Sequence, residues 1–197
     1  MSSIIINGKE IGQEIRTGVA ARVQVLKEKG ITPGLAVILV GDNPASKTYV
    51  ANKQKSCEQI GMFSELIKLP EDISEQALLE QIRELNNRKD IHGILVQLPL
   101  PKHIDEDKVI QTISPEKDVD GFSPISVGKM MLGQDTYLPC TPYGVMKLLE
   151  HSGIDVAGKH AVIVGRSHIV GKPMGQLLLQ KDATVTYTHS KTPDLPS

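Results

Sequence analysis

Tryptophan is absent from this chain, phenylalanine occurs twice and tyrosine four times. A core so poor in aromatics has to be built from aliphatic side chains, and a tyrosine in a polar setting then stands out. The two cysteines, Cys57 and Cys140, are far apart and match no paired spacing. That argues against a disulfide scaffold and points to a reducing, cytoplasmic setting. Neither cysteine has a Cys or His neighbour at ligand spacing, so no zinc or other metal site is expected. An excess of one charge is also missing: the net charge of −1 gives no reason to expect nucleic acid or an acidic membrane as partner. No apolar run approaches the ~20 residues that a membrane-spanning helix needs. Ile4-Ile5-Ile6 is too short for the apolar region of a signal peptide. What remains, 40% hydrophobic and 23% charged, fits a soluble globular protein with one large domain or two modest ones.

Apolar runs alternate with helix-period segments, which predicts an α/β protein with a mainly parallel sheet. Ile4 to Ile6 reads as a short strand. Glu10 to Lys29 reads as a helix with Ile11, Ile15, Val19, Val23 and Leu26 on one side and Gly30 as its stop. Leu35 to Val40 is continuously apolar, as a strand covered on both faces should be. Gly41 to Ser46 is turn chemistry, followed by a helix from about Ser46 to Ile60 that ends at Gly61. A strand over 63–69, a helix capped by Ser74 and reaching about Arg88, and a buried strand over 91–98 come next. Pro99, Pro101, Pro115 and Pro124 mark a loop-rich stretch. Beyond it the pattern predicts a helix over 141–151, a strand over 160–164, a helix over about 170–180 and a strand over 183–187.

His160 to Pro173 reads as a strand, a glycine turn and a helix start. Gly165 allows a tight turn, Gly171 allows close backbone approach, and the helix N-terminus is expected to offer free N–H groups to a pyrophosphate. Ser167 stands where the usual fingerprint has its middle glycine, so a tight turn without a ligand also fits the local pattern. NAD binders usually carry an acidic residue about 20 residues further on. Here Tyr187 is followed by Thr188-His189-Ser190-Lys191-Thr192, with no carboxylate before Asp194. A hydroxyl and a cation at that strand tip, with Arg166 in the turn, suit the extra phosphate of NADP.

Tyr49 and Lys53 lie four apart on a predicted helix and so share a face. An aromatic ring beside an amine can hold a flat heterocycle next to a proton-transfer group, although a surface lysine lying over a half-buried tyrosine has the same spacing. Gln97 sits in an otherwise apolar strand end, where a buried amide needs a partner: backbone, ligand or catalytic residue. Lys117-Asp118-Val119-Asp120-Gly121-Phe122 places two carboxylates on alternate positions beside a glycine, which a solvated turn would also do. Cys140 has no base paired with it and reads as a small residue at a loop-to-helix join.

Taken in order, Pro33 to Leu35, Val40 to Ser46, Tyr49 to Lys53, Val96 to Pro101, Pro115 to Gly121, Pro139 to Pro142, Gly165 to Pro173 and His189 to Thr192 carry a resemblance. They are similar to the signature segments of the methylenetetrahydrofolate dehydrogenase/methenyltetrahydrofolate cyclohydrolase family, across nearly the whole chain. The resemblance implies an N-terminal α/β folate-binding catalytic domain (1–138) and the start of a Rossmann-like NADP-binding domain (139–197), with further strands, a Gly/Pro-rich loop and a returning helix beyond Ser197. It implies NADP-dependent oxidation of methylenetetrahydrofolate, then hydrolysis to the formyl form, as in one-carbon metabolism and purine biosynthesis, by a homodimer. Carried over by position, Tyr49 stacks on the folate ring and Lys53 is central to hydrolysis. Gln97 holds and tunes that lysine with Leu98 and Pro99 beside it, and Asp120 anchors the pterin. Gly165, Arg166, Ser167, Val170, Gly171, Ser190 and Lys191 would line the cofactor. Two other readings fit parts of the pattern: another two-domain NADP enzyme, such as a shikimate-type dehydrogenase, and a non-catalytic paralogue that binds folate or nucleotide.

Overall fold

The computed structural model describes residues 5–195. In chain order the first elements are α1 (Gly8–Glu28), β1 (Gly34–Val40), α2 (Pro44–Gln59), β2 (Phe63–Leu69), α3 (Glu75–Asn87) and β3 (Gly93–Val96). They are followed by α4 (Glu106–Thr112), α5 (Pro124–Met131), α6 (Cys140–His151), β4 (His160–Val164), α7 (Gly171–Leu179) and β5 (Thr184–Thr188). These elements fall into two compact units, residues 12–119 and residues 1–11 with 120–197.

Within residues 12–119 the strands make a parallel sheet in the order β2-β1-β3. Its middle strand explains the unbroken apolar run. Ala36, Ile38 and Val40 enter one core with Leu78, Ile82 and Leu85 of α3. Val37 and Leu39 enter a second core, on the other face, with Val50 of α2 and Leu95 of β3. Helices therefore cover both faces, and parallel strands deliver their C-terminal ends to one edge.

In the other unit β4 and β5 pair in parallel, with α7 as the crossover. Ala161, Ile163 and Val185 pack with Met174 and Leu178 of α7 and with Met146 and Leu149 of α6. The alternate residues Val162 and Val164 are 53% and 73% exposed.

Several expectations need correcting. Ile5 and Ile6 form no strand, and Ile4 lies outside the described residues. The apolar side of α1 buries only Val23, while Ile15 stays exposed. Helix α2 begins at Pro44, not Ser46, because Asn43 caps it: its side chain accepts from Ala45 N and Ser46 N at 3.0 and 3.1 Å. The proline-marked stretch also holds two helices. Asp105 caps α4 through Asp107 N and Lys108 N, and Ser123 caps α5 through Ser126 N, with Pro124 as its first residue.

Candidate active site

At the C-terminal edge of the three-stranded sheet, β1 runs into Gly41 and the Asn43 cap, which turns the chain into α2. β3 ends at Val96, so Gln97 lies just beyond the strand and is half-buried, not enclosed within it. Its backbone N–H donates to Ile38 O at 2.9 Å, adding one rung to the ladder with β1. The Gln97 side chain donates through Nε2 to Leu98 O at 2.7 Å, which leaves Oε1 turned the other way. That oxygen accepts from Lys53 Nζ at 3.1 Å. Lys53 is itself half-buried on the third turn of α2, and Tyr49, one turn earlier on the same face, is 63% exposed. The structure thus joins two residues that lie 44 positions apart and leaves an aromatic ring open beside them.

Chemically, this pair holds an amine in place without fixing its charge. A lysine nitrogen carries N–H bonds whether or not it is protonated, and a neutral amide oxygen accepts from either form. A carboxylate there would favour the ammonium. Around the same edge Leu100 N donates to Glu106 Oε1 at 3.0 Å, which holds the loop after Pro99. Lys47 pairs with Asp42 at 2.6 Å in solvent, and that hydrogen bond holds the Asp42 carboxyl below the usual range.

Asp120 belongs to the second unit. It is half-buried, and the thiol of Cys140, at the start of α6, points at its Oδ1 from 4.0 Å. Its neighbour Asp118 is 2% exposed. The two carboxylates of that motif therefore do not share a surface turn.

At the β4–α7 turn, Gly165 has φ +133°, and its N–H donates to Thr188 O at 2.8 Å, tying the turn to the end of β5. A Cβ on Gly171 would meet Gly165 O at 2.7 Å, so only glycine fits there. The expected free N–H groups are not found. Ser167 Oγ accepts from Val170 N and from Gly171 N at 3.1 Å each. Ser167 O accepts from Lys172 N at 3.0 Å, and Pro173 has no N–H. With both lone pairs used, the hydroxyl still offers its own O–H. Arg166, Ser190 and Lys191 are exposed, and no carboxylate falls between Tyr187 and Pro193. These residues fit a phosphorylated dinucleotide.

One contributor escaped the sequence pattern. Gly175 lies where a Cβ would sit 2.2 Å from the Tyr187 hydroxyl, which donates to Lys172 O at 2.9 Å. The four-residue step from Gly171 to Gly175 was the available signal, since both fall on one helix face. Among the described residues no group of three or more His, Cys, Asp or Glu could hold a metal ion. No helix among them is long and apolar enough to cross a membrane.

Comparison with known proteins bears on both units. Residues 6–120 match the family described as tetrahydrofolate dehydrogenase/cyclohydrolase, catalytic domain, and residues 139–197 match its NAD(P)-binding domain. The bifunctional protein FolD of Lysinibacillus sphaericus is 82% identical over 197 residues, which are all of this chain and 69% of that protein. The crystal structure of the bifunctional methylenetetrahydrofolate dehydrogenase/cyclohydrolase FolD from Campylobacter jejuni is similar with a TM-score of 0.97 and 51% identity, over 98% of this chain and 69% of the other. The Trypanosoma brucei dehydrogenase-cyclohydrolase, solved with NADP cofactor and an inhibitor, gives a TM-score of 0.93 at 37% identity, over 98% and 67% of the two chains.

Proposed function

The chain belongs to the tetrahydrofolate dehydrogenase/cyclohydrolase family, and on that footing we propose that it oxidises 5,10-methylenetetrahydrofolate with NADP and hydrolyses the methenyl product to 10-formyltetrahydrofolate. NADP supplies the hydride acceptor for the first reaction. In the second, water adds to the cationic one-carbon bridge, one carbon–nitrogen bond breaks and one proton is released. Lys53 moves protons during that addition and ring opening. Gln97 holds the amine, Tyr49 stacks on the pterin, Leu98 and Pro99 line its path, and Asp120 pairs with ring N–H and amino donors. What supports these roles is the Lys53–Gln97 hydrogen bond at the open edge of a parallel sheet, one helical turn from an exposed tyrosine.

Gly165, Arg166, Ser167, Val170, Gly171, Ser190 and Lys191 would hold the cofactor, with Arg166 and Lys191 supplying the cations that would pair with a 2′-phosphate. Residues 1–138 act as the folate-binding catalytic domain and residues 139–197 belong to the NADP-binding domain; family matches that stop at 120 and resume at 139 support this division, whereas the compact units group residues 1–11 and 120–138 with the second. Cys57 and Cys140, which form no disulfide, support a reducing, cytoplasmic setting, and the formyl product would serve purine biosynthesis. The homodimer implied by the resemblance is checked by light scattering. Neither the shikimate-type nor the non-catalytic alternative is favoured by the comparisons.

The test follows reduced cofactor and methenyl product by absorbance, with methylenetetrahydrofolate and either NADP or NAD. Turnover with NADP, and its weakening in Arg166→Ala, is expected. Absence of turnover would defeat the proposal, and equal use of NAD would defeat the role of Arg166.

A further inference from the structure

Lys117 opens the Lys-Asp-Val-Asp segment and has no part in the chemistry above. Its Nζ donates to Leu85 O at 3.0 Å and to Arg88 O at 2.6 Å, carbonyls at the C-terminal end of α3, where a cation is favoured. Asn86, in the last turn of α3, grips the same segment at two more points. Its Nδ2 donates to Thr112 O at 2.7 Å and its Oδ1 accepts from Ser114 N at 2.9 Å. Lys117 N then donates to Ser114 O, and Lys117 O accepts from Ile94 N, both at 2.8 Å. Residue 118 pairs in parallel with Ile94 of β3. The segment is therefore clamped to a helix end on one side and laid along the sheet on the other. Burial pushes the Lys117 amine below the ordinary lysine range, a cost that a solvated surface lysine would not carry.

We infer that Lys117 is a positioning residue for folate binding: its clamp on the end of α3 fixes where the chain leaves the sheet, three residues before Asp120. The inference rests on the proposal that Asp120 anchors the pterin, and the test separates the two. Steady-state kinetics of the full-length protein are measured for Lys117→Met, Lys117→Arg and Asp120→Ala. Lys117→Met should raise KM for methylenetetrahydrofolate on the order of ten-fold. Both kcat and the KM for NADP should stay within about two-fold, and Lys117→Arg should recover part of the loss. A folate KM unmoved in Asp120→Ala overturns the assignment of Asp120 and this inference with it. A KM that moves there but not in Lys117→Met overturns the role of Lys117 alone, as does a uniform fall in kcat and in both affinities, which is the mark of general destabilisation. Should Lys117→Met fail to fold, Asn86→Ala removes the two bonds to Thr112 and Ser114 and should give a smaller rise of the same kind; an unchanged folate KM there also overturns the inference.

Discussion

A carboxamide at position 97 accepts from the Lys53 amine without setting a charge beside it, as a carboxylate of the same shape would. Gln97 gains that property through a second bond: because its Nε2 is committed to Leu98 O, its oxygen always faces the lysine. Proton transfer by a positioned side chain contributes about 10²–10⁴-fold, whereas hydride transfer depends mainly on holding two carbons in contact. Lys53→Met should therefore lower cyclohydrolase activity on the order of 10²-fold or more and spare part of the dehydrogenase, measured as methenyl hydrolysis and NADPH formation on the same preparation. Equal loss of both would remove Lys53 from its special role in hydrolysis. The shared face of Tyr49 and Lys53 was legible from their spacing. Their meeting with Gln97 was not, since it depends on which strand lies beside which and on the rung that joins Gln97 N to Ile38 O. No local pattern encodes that register.

Proline is the element-scale lesson. Pro44 and Pro124 look like breakers in a linear scan, yet each is the first residue of a helix, preceded by a capping Asn43 or Ser123. At that position the missing N–H costs nothing and the fixed φ already suits a helix. Ser74 before α3 was legible because its helix carries a long amphipathic pattern, whereas α4 and α5 span only seven and eight residues, too few for such a pattern to repeat. In Gly175→Ala the new methyl group would press on the Tyr187 ring and hydroxyl and force α7 away from β5. Overpacking of this kind costs about 1–3 kcal/mol, read as a lower urea midpoint together with weaker NADP binding. In a Tyr187→Ala background the same substitution should cost little. An undiminished penalty there would show that the contact with Tyr187 is not its cause.

Across the folded chain, acid should weaken the ion pairs of Arg88, one of them local and one reaching to β2. Arg88, at the end of α3, binds Asp90 and Glu65 of β2 at 2.6 Å each. The Arg88 hydrogen bond holds the Asp90 carboxyl below its ordinary range. A carboxyl whose folded pKa is depressed contributes stability above its unfolded pKa and loses it as pH falls through the folded one. Asp90→Asn should lower the melting temperature at neutral pH, and its difference from wild type should close as pH drops below about 4. Because the pair is exposed, the effect should shrink in high salt. A difference that persists unchanged in acid would refute the linkage. The alternation of strands and helices, and with it the α/β class, was legible across the chain. The grouping of those elements was not, because α1 passes from one unit into the other without a break in its periodicity. Its first turn belongs with α6, where a Cβ on Gly8 would touch Leu148 at 3.7 Å. In sequence, residues 12–119 thus lie between the two stretches that make up the other unit. Synthesis completes residues 12–119 before α6 is made, so the start of α1 meets its neighbourhood beside Leu148 only after that stretch has emerged.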